Sequence, residues 1–127
     1  MKVSFDFDDT LDKSHVQSYA QILVNKGIEV HIVTSRMSDD KMFPIIGWNT
    51  DLYEISDAIG IKREHIHFTN GGWKREFFLK NPDFLWHLDN DFDEIVKLKQ
   101  TAVKPISVLT SSFVTKCNRL IKNYENK

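Results

Sequence analysis

The stretch Met1-Lys-Val-Ser-Phe-Asp-Phe-Asp-Asp-Thr-Leu-Asp12 decides how this chain is read. Val3, Phe5 and Phe7 alternate with Ser4 and Asp6, the period of a short strand. The strand runs straight into Asp6, Asp8, Asp9 and Asp12. Clustered carboxylates repel one another and are costly beside a sheet unless a cation or a reaction uses them. A solvated acidic turn is the plain alternative. The cluster sits at the mouth of a strand rather than along a helix face, which favours a functional edge.

Outward from this strand, Ser14 is placed to cap a helix over Val16 to Lys26, and Gly27 closes it. Glu29 to Thr34 alternates as a second strand. Strand, helix and strand in this order form a βαβ unit, so the two strands run parallel with a right-handed crossover. Thr34, Ser35 and Arg36 therefore share an edge with Asp6 and Asp8. Met37 to Asn49 lacks a clean period, and Pro44 and Gly47 argue against one helix. Thr50 is placed to cap a helix over Asp51 to Ile59, ended by Gly60. Glu64 to Thr69 reads as a third strand, Trp73 to Lys80 as a helix, and Asp83 to Leu88 as a fourth strand ending in Asp89-Asn90-Asp91. A helix over Phe92 to Gln100, a fifth strand over Ile106 to Leu109 and a last helix capped by Ser111 or Ser112 complete the chain. Five strands alternating with five helices predict a doubly wound α/β sheet in one domain over residues 1–127.

Composition narrows the partners. Seventeen basic against 18 acidic side chains leave a net charge of −1, which advertises neither nucleic acid nor an anionic membrane. No apolar run approaches membrane-spanning length, and no apolar core with a cleavage site opens the chain. Cys117 is the single cysteine, so an internal disulfide is excluded. A reducing cytoplasm is the expected location. Cys117 itself falls on the apolar face of the last helix and reads as core.

Asp6-Phe-Asp8-Asp-Thr10 after an apolar strand resembles the DxDxT signature of the haloacid dehalogenase (HAD) superfamily of phosphatases. Three further motifs follow in that family's order: a strand ending in Thr34, a lysine, and a strand ending in Asp89. The resemblance spans nearly the whole chain and implies a three-layer Rossmann-like sheet, order 3-2-1-4-5, with the Asp6 strand central. It also implies a Mg²⁺-dependent phosphomonoester hydrolase. Asp6 would be the nucleophile that carries an aspartyl-phosphate, and Asp8 the acid/base whose backbone carbonyl also binds the metal. Thr34 would donate a hydrogen bond to the phosphoryl group, and Asp89 would complete the metal site. Asp91, favoured over Asp93, would supply the second acid there through a metal-bound water; Asp93 also suits the start of the following helix. Ser35 and Arg36 follow Thr34 at the mouth as candidate substrate contacts, with a surface role for Arg36 equally open.

The lysine is chosen by position. Lys74 begins its helix at the active edge, Lys80 lies roughly 9 Å further along it, and Lys62 precedes the third strand on the opposite edge. The histidines take plainer readings. His65-x-His67 resembles zinc-ligand spacing, but His31, His67 and His87 fall in different strands, and hydrogen-bonded imidazoles are expected.

Larger members of the family insert a cap domain after the first or third strand. Here those places hold only Thr10 to Lys13 and Asn70 to Trp73, so an open site is expected, with residues 37–49 as a possible flap or an inter-subunit contact. His67-Phe-Thr-Asn-Gly with Lys74 is loosely similar to the phosphatase domains of polynucleotide end-repair enzymes. A nucleotide or nucleic-acid 3′-phosphate is the substrate this implies. A catalytically silent module that binds metal or a phosphorylated partner is the rival reading; the presence of Asp6, Asp8, Thr34 and Lys74 speaks against it.

Overall fold

In the computed structural model, which describes residues 1–127, eleven regular elements follow one another. They are β1 (Lys2–Phe5), α1 (Ser14–Asn25), β2 (Glu29–Thr34), α2 (Asp39–Met42), α3 (Thr50–Ile59), β3 (Ile66–Phe68), α4 (Lys74–Lys80), β4 (Phe84–Asp89), α5 (Phe92–Leu98), β5 (Lys104–Ser107) and α6 (Phe113–Glu125). The sheet is entirely parallel in the order β3-β2-β1-β4-β5, as expected. β1 lies between β2 and β4, so the ends of these three strands, at Asp6, Thr34 and Asp89, open onto one edge. The chain winds outward from β1 to β3 and then returns to the other side of β1, which places that edge at the switch in strand order.

Register sorts the side chains onto two faces. Val3 stands beside Val30 and Trp86, and Phe5 beside Ile32 and Leu88, so one face of β1 is wholly apolar. It belongs to the larger core, with Tyr19, Leu23, Leu52, Phe113, Cys117 and Ile121 from the helices. Phe5 meets Trp86 edge-on at 5.4 Å, a contact that adds about 0.5–1.5 kcal/mol to the area buried. The opposite face carries a smaller core of Val33, Phe78, Phe84, Leu98 and Val103. It also carries polar Ser4, aligned with His31 on one side and His87 on the other.

Several boundaries differ from the sequence reading for local reasons. Ser14 and Thr50 are the first residues of α1 and α3 rather than their caps. Lys13 precedes α1, and its carbonyl accepts from Val16 and Gln17. Asn49 precedes α3, and its amide is spent on Met37 O and Asp39 Oδ1. Ser112 does precede α6, but its hydroxyl makes no capping bond. β3 is shorter than expected, because Arg63–His65 forms a 3₁₀ turn that takes His65 out of the strand. β5 covers Lys104–Ser107 rather than Ile106 to Leu109, aligned with Trp86 to Asp89.

Residues 37–49 hold the short α2, a cis Phe43–Pro44 bond and Gly47 at φ 81°. Phe43, Ile45, Ile46 and Trp48 are all exposed, Ile46 to 93%. These four apolar side chains are therefore not core, whereas Asn49 at the end of the segment is fully buried. No helix is long and apolar enough to cross a membrane.

Candidate functional site

The backbone beyond β1 aims its carboxylates in different directions. Asp6 still pairs with β4, its N–H donating to the Leu88 carbonyl at 2.8 Å. A wide turn over Phe7–Leu11 follows, closed by Leu11 N–H to Asp6 O and Asp12 N–H to Phe7 O. Asp9 sits at φ 58°, a left-handed position that Asp tolerates better than most residues. The turn buries Phe7, Thr10 and Leu11 beneath it. Asp6 is left inside, 6% exposed, with Asp8 and Asp9 at the rim.

Around Asp6 a continuous polar network fills the sheet edge. Lys74, at the start of α4 and 2% exposed, donates to Asp6 Oδ1 at 2.7 Å and to Asp89 Oδ2 at 2.6 Å. Asp89 Oδ2 also faces His87 Nε2 at 2.8 Å, and His87 Nδ1 faces the Ser4 hydroxyl at 2.8 Å. Asp89 Oδ1 accepts from the Asp91 N–H. Thr10 Oγ1 donates to Asp6 Oδ2 at 3.3 Å. The Asn90 amide lies 2.8 Å from Asp6 Oδ2 and 3.1 Å from the Asp8 carbonyl; both oxygens are acceptors, so its nitrogen faces them. Two oxygens thus converge on one point. Glu94 on α5 accepts from the Lys74 N–H at 3.2 Å and anchors the start of α4.

The two buried carboxylates are driven apart in acidity. Burial pushes Asp6 up to about 7; the Lys74 ammonium opposes this, while neighbouring Asp89 adds to it. Asp89 is buried too, yet the His87 hydrogen bond and the charge of Lys74 hold it well below the ordinary carboxylate range. Burial pulls the Lys74 ammonium down, but Asp6 and Asp89 together outweigh it and leave it raised. His87, fully enclosed, is held down by burial against the pull of Asp89. A neutral His87 with its proton on Nε2 donates to Asp89 and accepts from Ser4, which satisfies all three groups.

The remaining sequence candidates separate. Ser35 lines the cavity in front of Asp6, while Thr34 is fully buried and its hydroxyl oxygen accepts from the Arg36 N–H. Arg36 grips both oxygens of Asp8, at 3.0 and 2.8 Å, and both oxygens of Asp51, at 2.7 and 2.8 Å. Its guanidinium also lies over the Phe7 ring, 4.8 Å from the centroid. Asp91 lines the cavity and caps α5, accepting from the Asp93 and Glu94 N–H groups. Asp93 is exposed and does not reach the cavity wall. Asn90, Glu94 and Asp51 were missed. Glu94 follows Asp91 by three residues on one helix face, a spacing that was available as a signal.

The cavity measures about 180 Å³ and has no apolar residue in its wall: Asp6, Asp8, Asp9, Ser35, Lys74, Asp89, Asn90, Asp91 and Glu94. A larger groove of about 640 Å³ shares Asp8 and continues past Arg36, Trp48, Thr50, Asp51 and Glu54. The first has the size and polarity for a small charged group; the second is wide enough for a larger one.

No protein-family model matches this chain, and no curated protein matches it. Among solved structures it is similar to a hypothetical protein from Xanthomonas campestris, at 16% identity and a TM-score of 0.54 over 84% of this chain. The chain spans 62% of that protein's length. A likeness at that identity concerns the fold.

Proposed function

We propose that this chain is a phosphomonoester hydrolase of the HAD kind, acting through Asp6. The observation that carries the reading is the pair Asp6 and Asp89, bridged by buried Lys74 at the C-terminal edge of a parallel sheet and facing a wholly polar cavity. An Asp6 oxygen attacks phosphorus, the bond to the leaving oxygen breaks, and Asp8 gives that oxygen a proton. Water then attacks the aspartyl-phosphate while Asp8 takes its proton, releasing inorganic phosphate and restoring Asp6. Lys74 favours the ionised form of Asp6 that attacks. Ser35, in the cavity wall, is the group this reading assigns to the phosphoryl oxygens, with Thr34 enclosed behind it at the end of β2.

The residues present fit Mg²⁺. Asp6, Asp8, Asp89 and Asp91 all line the polar cavity and would hold the ion through side-chain oxygens and the Asp8 carbonyl, hard donors of the kind Mg²⁺ takes. When bound, Mg²⁺ supplies positive charge that lets an anionic ester approach a carboxylate.

The neighbouring groove narrows the substrate. Asp8, Asp51 and Glu54 line it, and its one cation, Arg36, already pairs with two of them. A nucleic-acid 3′-phosphate would bring further backbone charge into this acidic surface. A nucleotide carrying a single phosphate suits it better, with Trp48 offering an aromatic face to a base.

Phosphate release from a panel of phosphate esters, with Mg²⁺ and with Asp6→Asn beside the wild type, tests the reading. Release by the wild type and none by Asp6→Asn is expected. Absence of release from every ester, alongside a Mg²⁺-dependent rise in melting temperature, would instead identify the silent metal-binding module.

A further inference from the structure

A second cluster of ligating side chains lies at the opposite end of the sheet, and the chemistry above leaves it unused. Glu29 and His31 are two residues apart on β2, so they project from one face. β3 is the neighbour of β2, and His65, in the 3₁₀ turn that leads into β3, brings its ring onto His31. The two imidazoles stack with centroids 4.1 Å apart and planes 23° apart. One carboxylate oxygen of Glu29 and one nitrogen each of His31 and His65 lie within 4.8 Å of one another. β1 separates His87 on β4 from His31 on β2, whereas His65 and His67 lie on the segment next to β2.

The surroundings resemble those of a ligand set rather than a chance surface group. His31 is 5% exposed and held on both sides: Phe84 meets it edge-on at 4.9 Å, and His67 Nε2 lies 2.9 Å from its Nδ1. If His31 Nδ1–H donates to His67, the Nε2 lone pair is left facing Glu29 Oε2, 2.6 Å away. Two acceptors at that separation need either a proton or a cation between them. An outer partner on the second ring nitrogen is the usual way a ligating imidazole is oriented. Hydrogen bonding accounts for Glu29, His31 and His67, but His65 gains no protein partner from it. Glu29 and His65 are both partly open to solvent, which supplies an entry path.

We infer that Glu29, His31 and His65 form a site for a divalent transition-metal ion such as Zn²⁺, oriented by His67 and completed by a water. Two imidazole nitrogens and one carboxylate make a borderline donor set that selects Zn²⁺ or Co²⁺ over Mg²⁺. Tetrahedral bonds of about 2.0–2.1 Å put donors about 3.3 Å apart. The Glu29–His31 pair therefore opens from its hydrogen bond while His65 closes in. The bound ion ties the start of β3 to β2 and stabilises the fold by mass action.

Metal-stripped protein titrated with Co²⁺ and Zn²⁺ in excess Mg²⁺, which masks the acidic edge, tests the site. One ion per chain and the visible absorption of tetrahedral Co²⁺ are expected. His65→Asn and Glu29→Gln, both at partly exposed positions that keep the fold, should weaken Zn²⁺ binding by about 100-fold or more. His67→Phe, which removes only the outer partner, should weaken it by about 10–100-fold. His15→Asn, a histidine elsewhere on α1, should leave it unchanged. Absence of tetrahedral Co²⁺ absorption overturns the assignment and leaves a hydrogen-bonded imidazole cluster only. Unaltered Zn²⁺ affinity in His65→Asn and Glu29→Gln overturns it as well.

Discussion

Lys74 Nζ stands 2.7 Å from Asp6 Oδ1, and the two side chains are only 2% and 8% exposed. The ammonium comes from the first turn of α4 and the carboxylate from the end of β1, 68 residues earlier. With Asp89 on its other side, Lys74 is the cation that keeps two buried carboxylates compatible.

Removing that cation is predicted to be costly. Lys74→Ala leaves Asp6 and Asp89 facing each other without compensation, and losing one partner of a buried ion pair destabilises by about 3–5 kcal/mol. Asp6→Asn alone should cost less, since the amide still accepts from Lys74. In Lys74→Ala/Asp6→Asn the loss should fall below the sum of the single losses, because the repulsion is gone. Urea unfolding of the three variants measures it; strict additivity would mean that the two groups are not coupled.

Arg36 ties the end of β2 to the acidic turn and to the start of α3 through two forked contacts. Asp8 and Asp51 are more than half exposed, so solvent screens both pairs. Arg36→Ala is predicted to cost about 1 kcal/mol, less in high salt. Arg36→Lys should not restore the loss, because an ammonium cannot fork to two carboxylates at once. Unfolding midpoints at low and high ionic strength decide the matter.

Cys117 is fully buried on the inner face of α6, and burial pushes its thiol up to about 12 from the ordinary 9.0. The unfolded chain releases this proton first as pH rises. The contribution to stability is thus complete below pH 9 and is lost progressively toward 12. Tyr19, raised by the same burial, acts in the same direction. Melting temperature should fall across this alkaline range, and Cys117→Ala should flatten part of the fall while lowering the plateau. A thiol reagent at pH 8 should leave the native protein unlabelled and react only on unfolding.

The flap is predicted to serve specificity rather than folding. Phe43 and Ile46 are 80% and 93% exposed, so Phe43→Ser with Ile46→Ser should change stability by no more than about 0.5 kcal/mol. With the proposed hydrolase activity, the pair should raise KM for nucleotide substrates while leaving turnover of a small activated ester unaltered. Equal effects on both substrates would place the flap outside substrate binding.

Much of this protein was legible in the chain itself, because strand and helix periodicity are local properties. Val3 and Phe5 announced β1, although Phe7, read in the same period, falls in the turn beyond it, and Glu29 to Thr34 announced β2 to the residue. The alternation of strands with helices was enough for a parallel doubly wound sheet, and strand-end position alone selected Lys74 over Lys62 and Lys80. Boundaries set by side-chain competition were less legible: Asn49 was drawn into the flap, and Ser14 began its helix rather than capping it. Pairings across the fold required three dimensions. Arg36 with Asp51, Asn90 across Asp6 and the Asp8 carbonyl, Glu94 beneath Lys74, and His31 against His65 join residues that no period connects. Periodicity reports which face of an element is buried. Only the order β3-β2-β1-β4-β5 and its register decide which buried groups meet, and therefore which carboxylate is lifted to about 7 and which is held low.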